Sequence, residues 1–256
     1  STLELSSSRR SFASIEKTKD EAVMMELNKY LRPDGKMLSP SRFNSYISCP
    51  LRFYYEVIEG LREPEEPSIV LQSNDFGTVL HRTMEEIYNR VGRVVTKGAL
   101  EQMRGQVRSI IEEQYLEVIY PQPQRQAGPR QRAALGGLDR IYCQMIESYV
   151  RSILEYDIQI APFTYLGSEQ GGKTTFPLRD GRTVYFKGTI DRMDSLEMKG
   201  EGNGSEVRIR VVDYKTGGAE LKLPSWADLH DSKYKAIVQT LIYCAFSVNS
   251  GQPAQS

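Results

Sequence analysis

The sequence predicts an α/β protein with a helical N-terminal part, and three observations carry that expectation. Apolar residues recur at intervals of three and four in a succession of segments up to about residue 160, the spacing of helices that bury one face. Two apolar, β-branched runs follow, 184–190 and 211–212. The Gly-rich stretch 199–205 between them has the turn chemistry that folds two strands into an antiparallel hairpin. A last helical run closes the pattern, with Gln239 and Tyr243 four residues apart and so on one face.

A chain of 256 residues fits one large domain or a domain with an appendage, and 39% hydrophobic with 26% charged residues is ordinary for a soluble globular protein. Thirty-three basic and thirty-three acidic residues cancel. Neutrality argues against a nonspecific coat for nucleic acid, while a local basic groove stays open. There is no apolar run of bilayer length and no signal-peptide pattern, so the default compartment is the cytoplasm and no membrane partner is expected. Cys49, Cys143 and Cys244 are widely spaced and form no Cys-x-x-Cys pair, which indicates neither a disulfide framework nor a local zinc site. The chain begins at Ser1 and stops in polar sequence soon after the Gln239 run, as expected of a piece of a larger protein.

Taken in order, residues 1–37 are expected to form a Ser-rich mobile arm and a linker helix over 18–32, with Val23, Leu27, Tyr30 and Leu31 on its apolar side. Ser39 and Pro40 make an N-cap and first-turn pair, and Cys49-Pro50 should interrupt that helix before it resumes toward Gly60. Its aromatics, among them Phe43, Tyr46 and Phe53, read as core packing in preference to DNA stacking. The next helix takes Asn74 or Asp75 as N-cap, buries Leu80, Met84, Ile87 and Val91, and ends at Gly92, with His81 beside the stripe. Two more helices are expected over 96–120 and 137–160, the second burying Ile141, Met145, Tyr149 and Ile153, with Cys143 a small core residue. The loop between them carries Arg125, Arg130 and Arg132 and no acid; these arginines are either solvated or phosphate contacts.

The chemistry concentrates on the hairpin. Alternate residues of a strand share a face, so Asp213 and Lys215 point the same way, and the hairpin brings Asp191, at the end of the first run, to meet them. Two carboxylates beside an ammonium are suited to holding Mg²⁺ or Mn²⁺ against a phosphate while a water is positioned for attack. The plain alternative is a set of strand-end charges paired at the surface.

Asp191 followed by Asp213-x-Lys215 resembles the PD-(D/E)XK nuclease signature. Three further blocks in matching order extend the likeness: Leu38-Ser39-Pro40 through Ser48-Cys49-Pro50 to Tyr55, then Gly77-Thr78-Val79-Leu80-His81, then Gln239-Thr240-Leu241-Ile242-Tyr243. Over about residues 38–248 they resemble the RecB/AddB-type branch, which makes 38–256 the nuclease domain, truncated at its C-terminus. The resemblance implies a restriction-endonuclease-like core whose central mixed sheet is flanked by the helices of His81 and Gln239.

The resemblance also implies roles. His81, Asp191 and Asp213 would hold the metal, and Lys215 would orient the water or stabilise charge on the phosphate. Gln239 and Tyr243 would fix the lysine, the water or the DNA backbone. Glu169 is a candidate further acid, with an ordinary exposed glutamate as the alternative. Ile190 stands where the motif's name has proline, which touches no functional group. DNA is the implied substrate, with exonuclease action ahead of endonuclease action. The implied setting is the nuclease domain of a helicase-nuclease in double-strand break repair and recombination, partnered by a helicase subunit or by the helicase part of the parent chain. A catalytically silent DNA-end-binding or scaffold module and a stand-alone phage-type or CRISPR-adaptation nuclease stay open. Some members of the branch hold an iron-sulfur cluster on four cysteines, one at the place of Cys49 and three beyond the Gln helix. This chain has only the first, so no cluster is expected in it and Cys49 is expected to be a buried free thiol.

Overall fold

The computed structural model describes residues 16–62, 71–121, 135–199 and 205–249. Helix α1 (Glu21–Asn28) is capped by Asp20, whose side chain accepts from the Val23 N–H, and runs into a 3₁₀ turn (Lys29–Leu31) that meets the sheet. Val23 and Tyr30 are the residues it buries. Ser39 caps α2 (Pro40–Ser48) by accepting from the Arg42 N–H, and extended backbone at Cys49 ends that helix. Pro50 restarts it as α3 (Pro50–Phe53), which widens into a π-turn (Tyr54–Ile58) and stops at Gly60, where φ is 73°. Cys49 is exposed, contrary to the buried thiol expected. Its sulfur accepts from the Arg52 N–H at 3.5 Å, so it sits at the open first turn of α3 and not in the core.

Helix α4 (Ser73–Val91) starts at Gln72 without a side-chain cap, earlier than the expected Asn74 or Asp75, and ends at Gly92 with φ 85°. The single helix expected over 96–120 divides at Gly105 into α5 (Lys97–Arg104) and α6 (Val107–Ile119), glycine being a poor interior residue. Helix α7 (Gly137–Ile160) has the expected bounds but buries a different face. Ile141, Met145 and Tyr149 are 51%, 48% and 38% exposed, whereas Cys143, Ile146, Val150, Leu154 and Asp157 are buried. Apolar residues repeat on both faces of this helix, so their spacing alone does not choose the buried side. Burial pushes the Cys143 thiol up to about 12.

Four strands form the sheet: β1 (Val94–Val95), β2 (Phe163–Pro177), β3 (Thr183–Lys199) and β4 (Ser205–Val212), in the order β1-β2-β3-β4. Every neighbouring pair is antiparallel, where a mixed sheet was expected. The long strands are joined by successive hairpins, which forces antiparallel pairing. Among the described residues the parallel contact is one bridge, Leu38 beside Phe186. The expected β3–β4 hairpin forms, pairing Lys199 with Ser205, and its turn residues lie outside the described ones.

Two cores sandwich the sheet. One gathers α4 to α7 with Phe163 and Tyr214; the other packs Phe186, Ile190 and Met193 against Val238, Ile242, Tyr243 and Phe246 of α8 (Lys235–Asn249). Helix α8 lies close because Gly172 and Gly188 pair across β2 and β3, and a Cβ on Gly172 would come within 2.6 Å of Phe246. None of the described helices is long and apolar enough to cross a membrane.

The interior also holds charge. Arg192 of β3, 1% exposed, donates to both carboxylate oxygens of Asp157, at 2.7 and 3.1 Å, and its Nε is 3.1 Å from Asp194. Arg210 of β4 reaches both aspartates, the Tyr88 hydroxyl of α4 donates to Asp157, and the Arg192 guanidinium lies 4.4 Å over the Tyr88 ring. Two arginines and two aspartates thus neutralise one another, fastening α4 and α7 to the sheet. Removing one partner leaves an uncompensated buried charge. Asp157→Ala should therefore destabilise the protein by about 3–5 kcal/mol in denaturant unfolding; an unchanged midpoint would show that the cluster does not hold these elements together.

Candidate active site

Strand β4 stops at Val212, paired with Arg192, so Asp213 leaves the sheet beside Asp191. Asp191 lies within β3, not at a strand end as expected, because β3 runs on to Lys199. One oxygen of the buried Asp191 carboxylate accepts the Tyr214 N–H at 2.7 Å, which locks the two acid-bearing segments together. Its other oxygen is 3.5 Å from Nδ1 of His81 on α4, and that nitrogen is 3.7 Å from Glu169. Ser168 pairs with Arg192 and Gln170 with Ile190, which sets Glu169 opposite Asp191. Glu169 has φ 50°, left-handed backbone that a non-glycine residue adopts only where its surroundings enforce it. Donor atoms of His81, Glu169 and Asp191 all lie within 4.8 Å of one another, at a cleft of about 600 Å³.

A second set adjoins the first. Asp213 takes the Lys215 ammonium on one oxygen at 2.8 Å and the Gln239 amide on the other at 3.1 Å. The same Gln239 nitrogen donates to the Tyr243 hydroxyl at 2.9 Å, the pairing that a spacing of four on α8 allows. The structure thus brings together Asp191, Asp213, Lys215, Gln239, His81, Glu169 and Tyr243. Arg125, Arg130 and Arg132 lie outside the described residues.

Burial, chiefly, pushes the Asp191 carboxyl up to about 6, and the charges of Asp213 and Glu169 push the same way against His81 and the Tyr214 N–H. Burial also raises Tyr243 to about 12, which keeps its hydroxyl protonated at neutral pH. Carboxylates held together at this cost are what a bound cation would relieve, and an oxygen-rich donor set with one imidazole fits a hard divalent ion. Two supports escaped sequence reasoning: the Tyr214 N–H, a backbone group that no pattern reveals, and Asp157. The available signal for the latter was Arg192, a cation inside an apolar strand that requires a buried partner.

The chain belongs to the PD-(D/E)XK nuclease superfamily, whose family model matches residues 37–255. Within it, the chain is distantly homologous to the B subunits of bacterial ATP-dependent helicase/deoxyribonucleases. It is 28% identical over 222 residues to that of Bacillus subtilis, 26% over 224 to that of Acetivibrio thermocellus and 25% over 202 to that of Carboxydothermus hydrogenoformans. These matches cover 82%, 84% and 74% of the chain but only 17%, 18% and 17% of the relatives, so the chain spans less than a fifth of their length.

The raised Asp191 value has a testable sign. Between the ordinary 3.8 and about 6 the unfolded chain has released a proton that the fold retains, so stability falls as pH rises through that window and the loss is complete above it. In EDTA the wild-type protein should gain up to about 3 kcal/mol between pH 7 and pH 4 relative to Asp191→Asn. Parallel stability profiles for the two proteins would refute the perturbed carboxyl.

Proposed function

We propose that this chain is a Mg²⁺- or Mn²⁺-dependent deoxyribonuclease that hydrolyses phosphodiester bonds, working as the nuclease domain of a helicase-nuclease in double-strand break repair and recombination. The observation that carries the reading is the joining of Asp191 and Asp213, through the Tyr214 N–H between them, to Lys215 on one side and to His81 and Glu169 on the other. Membership of a nuclease superfamily and the name of the relatives support DNA as substrate. In this reading residues 38–256 are the nuclease domain and 1–37 an arm with a linker helix, in the cytoplasm beside a helicase partner, with exonuclease action ahead of endonuclease action.

His81, Glu169, Asp191 and Asp213 would hold the ion, which supplies Lewis-acid polarisation of the phosphate and acidifies a bound water. Lys215 would stabilise the charge that grows on the phosphate, and its pairing with Asp213 fixes where its ammonium sits. Gln239 occupies the second Asp213 oxygen, so the carboxylate is held from both ends, and Tyr243 in turn holds Gln239. Tyr214 aims Asp191 by taking one oxygen and leaving the other toward His81. Specificity would come through phosphates, with little reading of bases.

Cleavage of end-labelled and circular DNA, single- and double-stranded, with and without Mg²⁺ tests this reading. Metal-dependent degradation from ends with circles intact is expected. Lys215→Ala should slow cleavage by about 10²–10³-fold with Mn²⁺ still bound, whereas Asp213→Ala should lose both rate and metal affinity. Wild-type cleavage in either variant would remove the site, and an inert wild-type protein that still binds DNA ends would favour the silent module.

A further inference from the structure

A second groove of about 600 Å³ opens at Lys215 and Gln239 and runs along α2 to the start of α8. Its described lining has five basic side chains, Arg42, Arg52, Lys215, Lys233 and Lys235, against one acid, Glu56. The cleft of His81 instead has two acids, Glu85 and Glu169, against Arg82. A chain of zero net charge therefore concentrates cations on one flank of its candidate active site. Several are already engaged: Arg52 holds Glu56 at 2.6 Å, Lys233 is 3.1 Å from Asp231, and Lys215 holds Asp213. Arg42 and Lys235 form no ion pair among the described residues, and both are exposed. They come from different elements, yet their placement is fixed, because the Asn44 amide of α2 donates to the Lys235 carbonyl at 3.0 Å.

The remaining lining matches the same ligand chemistry. Ser41, Ser45 and Ser48 line the groove from α2, Ser41 bonded to the Ser39 hydroxyl and Ser45 donating to Glu56, and Lys235 and Ala236 form the first turn of α8, the positive end of a 15-residue helix. Of the aromatics in the 38–55 block, Phe43 packs on Phe186 and Phe53 is buried, whereas Tyr46, expected in the core, is 41% exposed; packing of these rings leaves the polar face of α2 unexplained. From these observations we infer that the groove is a backbone subsite: Arg42 and Lys235 bind phosphates of one nucleic-acid strand on a single flank of the scissile phosphate, delivering that phosphate to Lys215. The inference rests on the nuclease reading for its substrate class, though its chemistry is independent of cleavage.

Fluorescence anisotropy with a labelled single-stranded oligonucleotide in EDTA, titrated with salt, tests the subsite without any cleavage. Arg42→Ala and Lys235→Ala should each weaken binding and reduce the slope of log affinity against log salt by about 0.7, one phosphate contact on a single strand. Arg42→Lys should keep the slope. Arg179→Ala, the same change of charge in the β2–β3 turn, should leave binding at the wild-type level. The subsite is overturned by unchanged slopes in both groove variants, by an equal loss in Arg179→Ala, or by a wild-type protein that does not bind in EDTA, since the groove's charges need no metal. A protein that cleaves DNA but keeps its slope in the groove variants loses only the subsite; one that loses slope but never cleaves loses only the nuclease reading.

Discussion

The Arg192 guanidinium, one residue beyond Asp191, is buried to 1% exposure, and Asp157 and Asp194 meet its charge there. Desolvating such a charge costs several kcal/mol, so its partners must come from whichever elements surround it. They come from α7 and β3, with the Tyr88 ring supplied by α4, and Arg210 of β4 shares the same two aspartates. Three residues of the site come from the elements of this cluster. His81 is seven residues before Tyr88 on α4, Asp191 adjoins Arg192 on β3, and Asp213 follows the end of β4. Satisfying the buried cation therefore also helps set the relative positions of these three, while Glu169 comes from β2 and Gln239 from α8.

Above that neutral cluster the charges do not cancel. Asp191 is desolvated and faces Glu169 and Asp213, and Glu169 is presented on left-handed backbone opposite it. Strain and repulsion coincide here, close to the irregular pairing of β2 between Tyr165 and Gly167, and mark where local stability gives way to function. The opposite imbalance, a basic groove next to Lys215, lies on the other side of Asp213. A polyanion with a cation at its reactive phosphate matches both halves of that pattern.

Much of this was legible in residues whose neighbours are local. Ser39-Pro40 announced a helix start, Cys49-Pro50 its interruption, and the glycines of 199–205 a hairpin that carries Asp191 to Asp213. Gln239 and Tyr243 needed only the helical repeat to be placed together. What failed depended on partners distant in sequence. The buried face of α7 was missed because apolar residues repeat on both its faces, and what distinguishes the buried one is Asp157, whose partner Arg192 lies 35 residues on. Glu169 was legible only as a candidate, because its place opposite Asp191 is set by the register of β2 on β3, which no single-strand pattern contains. The β3–β4 hairpin was expected antiparallel and forms so, whereas the sheet that the resemblance implied to be mixed has every neighbouring pair antiparallel.

Anomalous diffraction from crystals soaked in Mn²⁺ shows whether His81, Glu169, Asp191 and Asp213 together bind a divalent cation. An anomalous peak is expected within bonding distance of Asp191 Oδ1 and His81, in contact with Glu169 or Asp213, and it should be lost in Asp191→Asn crystals. Full Mn²⁺ occupancy elsewhere, with this cluster empty and its carboxylates unmoved, would contradict that binding.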